Sequence, residues 1–175
     1  MHTDANKATC RRFIQQIFNG GDLSSIRDFV SADALHHELD GMYVPAGHSS
    51  EGLVDMIYVY RLAFPDLQVE IQDQIAESDQ VVTRLRIQGT QKGPLLGIGV
   101  SGKTVDLTGI RVDRLAEGRI TESWFHWAGL GMLRQIGALP NPVRNRQSAQ
   151  WVKKTIAPTG IEMPRPFAAE VKLVA

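Results

Sequence analysis

Apolar residues from Asn6 to Phe18 return at helical spacing. Cys10, Phe13, Ile14, Ile17 and Phe18 share a face, and Lys7, Arg11 and Arg12 lie elsewhere. Asn19-Gly20-Gly21 stops this helix, because glycine reaches left-handed conformations without steric cost. Asp22 can cap a second short helix, Leu23 to Val30, with Leu23, Ile26 and Phe29 inward. Ala34 to Leu39 reads as a strand with Leu35, His37 and Leu39 on one face and His36 and Glu38 on the other. After the turn-rich GMYVPAGHSS, Ser50 can cap a third helix, Glu51 to Ala63, which Pro65 ends.

The period then changes to two. Leu67–Ile75, Gln80–Thr90 and Thr104–Leu115 read as strands, and Ala116-Glu117-Gly118 turns into a last strand that runs into a short helix, GRITESWFHWAGLGMLRQIG. The last two strands form a hairpin. Helices first and strands afterwards predict an α+β fold with a curved antiparallel sheet wrapped on the N-terminal helices. Residues 1–138 form the domain. Residues 139–175 are punctuated by five prolines but too apolar for a disordered tail, with Trp151, Ile156, Ile161, Phe167, Val171 and Leu173. They predict an extension, with a helix over Arg144–Ile156, that packs on its own domain or on a partner subunit.

Composition narrows the function classes. A formal net charge of +0 with no basic stripe argues against nucleic acid. No apolar run reaches the ~18 residues of a membrane span, and MHTDANKATC has no secretory pattern. The single Cys10 excludes an internal disulfide framework, and a cytoplasmic location is expected. Cys10 sits on an apolar helix face and reads as core.

Several stretches in order carry a resemblance: NGGD, SADALHHE, AFPDL, SDQVVTRLRIQGT, LGIGVSGKTVDLTGI and EGRITESWFHWAGLGMLRQIG. Over about residues 5–138 the chain resembles the SnoaL-like polyketide cyclases of the NTF2-like superfamily. The resemblance implies an α+β cone, a curved antiparallel sheet whose mouth is closed by three helices, and a homodimer or higher homo-oligomer. It implies a cofactor-free and metal-free enzyme of polyketide-type secondary metabolism, such as antibiotic biosynthesis. The reaction would be an intramolecular ring closure by acid/base residues inside the cone, a lyase or isomerase activity on a small polyketide-like molecule. Epoxide opening, or non-catalytic binding of a hydrophobic small molecule, are the alternatives. Glu122 and Trp124 match the family's Glu-x-Trp, and His37 falls where members often carry His. Ala128 replaces an Asp that the cyclases use, or place nearby, as acid/base, and Gln91 replaces a His.

The candidate site follows from the last strand, where Ile120, Glu122, Trp124, His126 and Ala128 share a face by alternation. His126 is the acid/base candidate, since imidazole titrates near neutrality and can take an α-proton and return it to the new alkoxide. The plainer role for His126 is a buried, bonded histidine. Glu122 and His37 assist as catalytic groups, or else form structural bonds. Trp124, Tyr43, Tyr60 and Met56 shape the pocket, and Arg84 is assigned to the substrate. Of the strand charges Arg84, Arg86, Arg111 and Arg114 with Asp113, one arginine could stabilise an enolate or alkoxide in the pocket, and most are expected on the solvent face or in cross-strand pairs. Periodicity without the resemblance turns Phe125 and Trp127 inward instead. Following the resemblance, Glu122, Trp124 and His126 are placed in the cone, and Phe125 and Trp127 against a partner or the C-terminal extension. His36 and His37 point to opposite faces and cannot easily share one ion, so no metal is expected.

Overall fold

The last turns of the first helix are wider than an α-helix. In the computed structural model, which describes residues 3–38 and 49–140, α1 (Thr3–Phe13) passes without a break into a π-helical segment, Ile14–Asn19. Its end is held from two sides. Arg61 donates to the carbonyls of Phe18 and Asn19, and Asn19 exchanges two hydrogen bonds with the backbone of Val69, at 2.7 and 3.0 Å. Gly21 follows at φ +70°, where a Cβ would meet the Arg61 side chain at 2.7 Å.

The expected second helix is shorter and tighter, a 3-10 segment over Leu23–Asp28, and β1 starts at Val30, not at Ala34. β1 (Val30–Glu38) carries an irregularity between Val30 and Leu35. That shift reverses the expected faces. Ala34 and His36 are buried, and Leu35 is 51% exposed. α2 (Ser50–Ala63) is capped by Ser49, which accepts from the Gly52 N–H at 3.2 Å. Ser50 lies inside the helix and donates to the Ala32 carbonyl, fixing α2 to β1. Then follow β2 (Gln68–Glu77), β3 (Gln80–Thr90), β4 (Thr104–Ala116), β5 (Arg119–Trp127) and α3 (Gly129–Gln135).

The sheet is curved and open, in the order β1-β5-β4-β3-β2. β2 to β5 are antiparallel neighbours, but β1 runs parallel to β5, so the sheet is mixed and not wholly antiparallel. A parallel pair needs a long crossover, and everything from α2 to β4 supplies it. Tight turns join β2 to β3 at Ser78-Asp79 and β4 to β5 at Glu117-Gly118, where φ of +51° and +78° gives the twist antiparallel hairpins favour.

One face of the sheet meets the helices and makes the core. Cys10, Phe13, Ile17, Phe18, Met56, Ile57 and Tyr60 pack there against Val81, Leu85, Ile87, Leu107, Phe125 and Trp127. The opposite face carries a band one residue wide across all five strands, since Ile75, Val82, Val112, Trp124 and His37 are successive cross-strand neighbours. No described helix is long and apolar enough to cross a membrane. The chain divides into two compact units after Pro140, and the expected helix and contacts of the C-terminal extension lie outside the described residues.

Candidate functional site

β5 decides which side chains reach the interior. Its register with β4 slips between Arg114 and Leu115, so Arg114 faces Glu122 while Leu115 faces Ile120. The extra residue turns Ile120 and Ser123 to the same side. Ile120, Ser123, Phe125 and Trp127 are therefore buried under the helices, and His126 is exposed. The row placed in the cone by resemblance lies on the opposite face: Glu122, Trp124 and His126 do not line the interior. The apolar pair that alternation favoured, Phe125 and Trp127, does. Gly109, opposite Trp127, leaves room for these rings, since a Cβ there would approach Phe125 to 3.4 Å.

The outer face still brings together three of the expected site residues. His37 Nε2 lies 3.0 Å from Glu122 Oε1, and the His37 ring stacks on Trp124 at 5.3 Å and 14°. Arg114 donates to the second Glu122 oxygen and lies 5.4 Å over the Trp124 ring. Glu122 is thus held from both sides. Arg84, also outward, is paired with Asp73 at 2.7 Å and does not reach the interior. Tyr43 lies outside the described residues, as does His48.

Tyr60 and Met56 are buried on the concave side. With Phe18, Leu67, Val69, Ile87, Phe125 and Trp127 they wall an apolar cavity of about 20 Å³. Tyr60 meets Trp127 edge to face at 4.4 Å, an arrangement the ring quadrupoles favour.

Next to this cavity the concave face turns polar. One row across the strands reads His36, Ser123, Asp113, Val81, Ala76, and the next contains Phe125, Arg111, Thr83, Gln74. His36 is buried with Nδ1 2.6 Å from Ser123 Oγ. Arg111 and Asp113 are 0% exposed, and Arg111 Nε donates to both carboxylate oxygens, at 2.7 and 3.0 Å. The guanidinium also lies 4.8 Å over the Phe13 ring. Burial pushes the Asp113 carboxyl up, against the pull of Arg111 and the Cys10 thiol. Burial beside that carboxyl likewise pushes the Cys10 thiol far up, so it is a poor nucleophile. Gln74 donates to Thr83 at 3.1 Å and closes the row.

These interior polar residues were missed or placed outside by sequence reasoning. The signal was present. Arg111 and Asp113 share parity with Val105, Leu107 and Leu115 on β4, all buried. His36 had no such signal, because the irregularity in β1 precedes it. Gln91, where the resemblance led to a His, is buried as a brace: it donates to the carbonyls of Gly93 and Gly99 and accepts from Ser101 at 2.6 Å. Ala128 caps α3 without a side-chain hydrogen bond, so the acid/base carboxylate that the resemblance places there is absent. Among the described residues no cluster of three or more His, Cys, Asp and Glu is arranged to hold a metal ion.

Comparison with known proteins agrees with this architecture. A search of curated proteins gave no match. Among solved structures, TsrD from Streptomyces laurentii is 26% identical with a TM-score of 0.68, over 78% of this chain and 97% of that one. AclR from Streptomyces galilaeus, provisionally called a hydroxylase, is 27% identical with a TM-score of 0.72, over 90% and 95%. IdmH from Streptomyces antibioticus, provisionally called a polyketide cyclase, is 28% identical with a TM-score of 0.65, over 75% and 98%. The SnoaL-like polyketide cyclase family model matches residues 8–136, and with the α+β fold and the helix-covered sheet face this places the chain in that family.

Proposed function

We propose that the chain closes a ring on a polyketide-type small molecule by acid/base chemistry of its own side chains, under the helices on the concave sheet face. The observation that carries this reading is a buried imidazole, His36, paired to Ser123 one sheet row from an apolar cavity walled by Tyr60 and Trp127. In an aldol closure His36 removes the proton α to a carbonyl, and the same imidazole returns it to the new alkoxide. Ser123 Oγ holds the ring in the orientation this needs. Trp127, Phe125 and Tyr60 stack on and confine a flat, apolar substrate.

The test is turnover of an aromatic poly-β-ketone to its ring-closed product, followed by absorbance and mass. General acid/base groups contribute about 10²–10⁴-fold, so His36→Gln should lose activity on that scale and His126→Ala should keep it. An inactive His126→Ala enzyme that still folds, or a fully active His36→Gln enzyme, overturns the assignment.

A second reading is favoured by one observation. Glu122, a catalytic candidate, is engaged by both His37 and Arg114, and the cavity is apolar and small. The chain would then bind a hydrophobic molecule without turning it over. Saturable binding of the poly-β-ketone with no product would select this reading.

The outer band supports assembly with a second copy. Ile75 is 70% exposed and Val82 37% exposed, in a row bounded by the Glu122–Arg114 and Asp73–Arg84 pairs. Apolar area in a polar rim is the composition of a subunit interface. Val82→Glu should convert a dimer to a folded monomer in sedimentation equilibrium, and an unchanged mass excludes this face.

A further inference from the structure

Donors without acceptors cluster on the concave face. Arg111 is fully buried, yet only its Nε is hydrogen-bonded: Nη1 and Nη2 have no partner among the described residues. Trp127 Nε1 is buried and unpartnered as well. The two are neighbours across one residue. Phe125 is the cross-strand partner of Arg111, and it stacks on Trp127 at 6.2 Å. Buried polar groups in folded proteins nearly always find partners, so a group of orphan donors on one face calls for an acceptor. Arg111 Nη1, Arg111 Nη2 and Trp127 Nε1 are all donors, so a group that meets them carries oxygens; in the same row Gln74 Oε1 is an acceptor also without a partner among the described residues.

The shape of the donor set narrows the chemistry. A guanidinium edge presents parallel N–H bonds that match two oxygens held in one plane, as in a carboxylate or the enolate of a 1,3-dicarbonyl. Asp113 occupies only the Nε position. Among the described residues Arg111 is the only fully buried Arg or Lys, in surroundings where an anion is attracted strongly.

Aromatic rings link the guanidinium to the cavity wall. The Phe13 ring covers the guanidinium, Phe13 packs on Phe18 at 5.5 Å, and Phe18 packs on Phe125 at 6.2 Å. Phe18 and Phe125 are both cavity walls. Phe18 stands on the π-helical segment, a rare geometry that recurs at functional sites. Met56, also in the wall, is flexible enough to repack around a ligand.

We propose that Arg111 and Trp127 form the recognition site for a planar two-oxygen anion of a small apolar molecule, the enolate of a 1,3-dicarbonyl, with the Arg111 fork on the two oxygens and Trp127 Nε1–H on a further carbonyl. This deepens the reading of the cone as a small-molecule site, and it gives that site a preference for enolised substrates. The enolate is the species from which an aldol closure proceeds: its carbon attacks a second carbonyl, whose oxygen becomes the alkoxide and then takes a proton.

The experiment uses the full chain and two probes, 1-phenylbutane-1,3-dione and its 2,2-dimethyl derivative, which has no hydrogen between its carbonyls and cannot form the two-oxygen 1,3-enolate. Calorimetry should give about 10- to 100-fold tighter binding of the enolisable dione, the span expected of a charge-assisted bidentate contact. The bound dione should show the enolate absorption band below its solution pKa. The Arg111→Met/Asp113→Leu double variant removes both buried charges together, and it should lose the preference. Arg111→Lys keeps the charge but not the fork, and should lose most of it. Trp127→Phe removes the N–H together with part of the ring; the dione has no third carbonyl for that N–H, so its preference over the dimethyl derivative should persist. Benzoate as a third arm separates a carboxylate site from an enolate site: benzoate bound more tightly than the dione overturns the enolate assignment. Equal binding of the two diones by the wild-type chain, or an unchanged preference in both Arg111 variants, overturns the site. Its fate is separable from that of the cyclase reading. Preference without product removes only catalysis, and product without preference removes only this site.

Discussion

Arg111 and Asp113 stand two residues apart on β4, both fully buried, joined through Nε to the two carboxylate oxygens. Removing one member leaves the other as an uncompensated charge in the core. Asp113→Ala should therefore destabilise the fold by about 3–5 kcal/mol in urea denaturation, whereas replacing both, Arg111→Met with Asp113→Leu, should be nearly neutral or stabilising. A double variant as unstable as the single one would show that the pair has a packing role beyond charge compensation.

The two faces of β5 differ in what their aromatic residues support. Trp127 is 5% exposed and touches Tyr60 and Phe125, while Trp124 is half-buried on the outer side beneath His37 and Arg114. Trp127→Ala should cost about 3–5 kcal/mol and Trp124→Ala roughly a third of that. The same comparison by tryptophan fluorescence should show the blue-shifted, buried emission lost only with Trp127. The reverse order would contradict the register of β5.

Acid sensitivity has a local source at Asp66. The Thr90 backbone N–H donates to Asp66 Oδ1 at 2.7 Å. That bond, helped by the Thr90 hydroxyl, holds the carboxyl below its ordinary value of 3.8. The folded pKa is depressed, so the contribution is present above 3.8 and lost as pH falls through the lower folded value. Asp66→Ala should lower Tm at pH 6, and the gap between it and the wild type should close progressively as pH falls below 3.8. A constant gap would assign the effect to packing.

Leu96 is held at φ +48° in the tight turn closed by Leu95 and Ile98, and it is 44% exposed. A leucine in the left-handed region is strained, and here it buries little in return. Leu96→Asn, a residue that tolerates this conformation, should raise stability by about 0.5–1 kcal/mol, read as a higher urea midpoint at unchanged m-value.

Much of the architecture was legible along the chain because it is written in short-range periodicity. The stripe Leu53, Met56, Ile57, Tyr60 predicts α2 and its buried face, and the Glu-Gly turn predicts the hairpin of the last two strands. The alternation on β4 even marks Arg111 and Asp113 as inward, although charge argued for solvent. On β5 the alternation of Phe125 and Trp127 pointed inward too, and it was set aside for a family pattern. In this chain the local physics was the better guide to the face.

What the residues alone settled is therefore the class of the fold and the order of its elements, which rest on contacts between near neighbours. Tertiary structure decided the rest. Whether His36 or His37 faces inward depends on an irregularity in β1, and whether Ser123 joins the interior depends on one extra residue in β5. A slip of one residue moves every side chain beyond it to the other face, and nothing in the composition of a strand reports where the slip occurs. The parallel pairing of β1 with β5 brings His36 to Ser123 across 87 positions, and no local signal encodes that meeting.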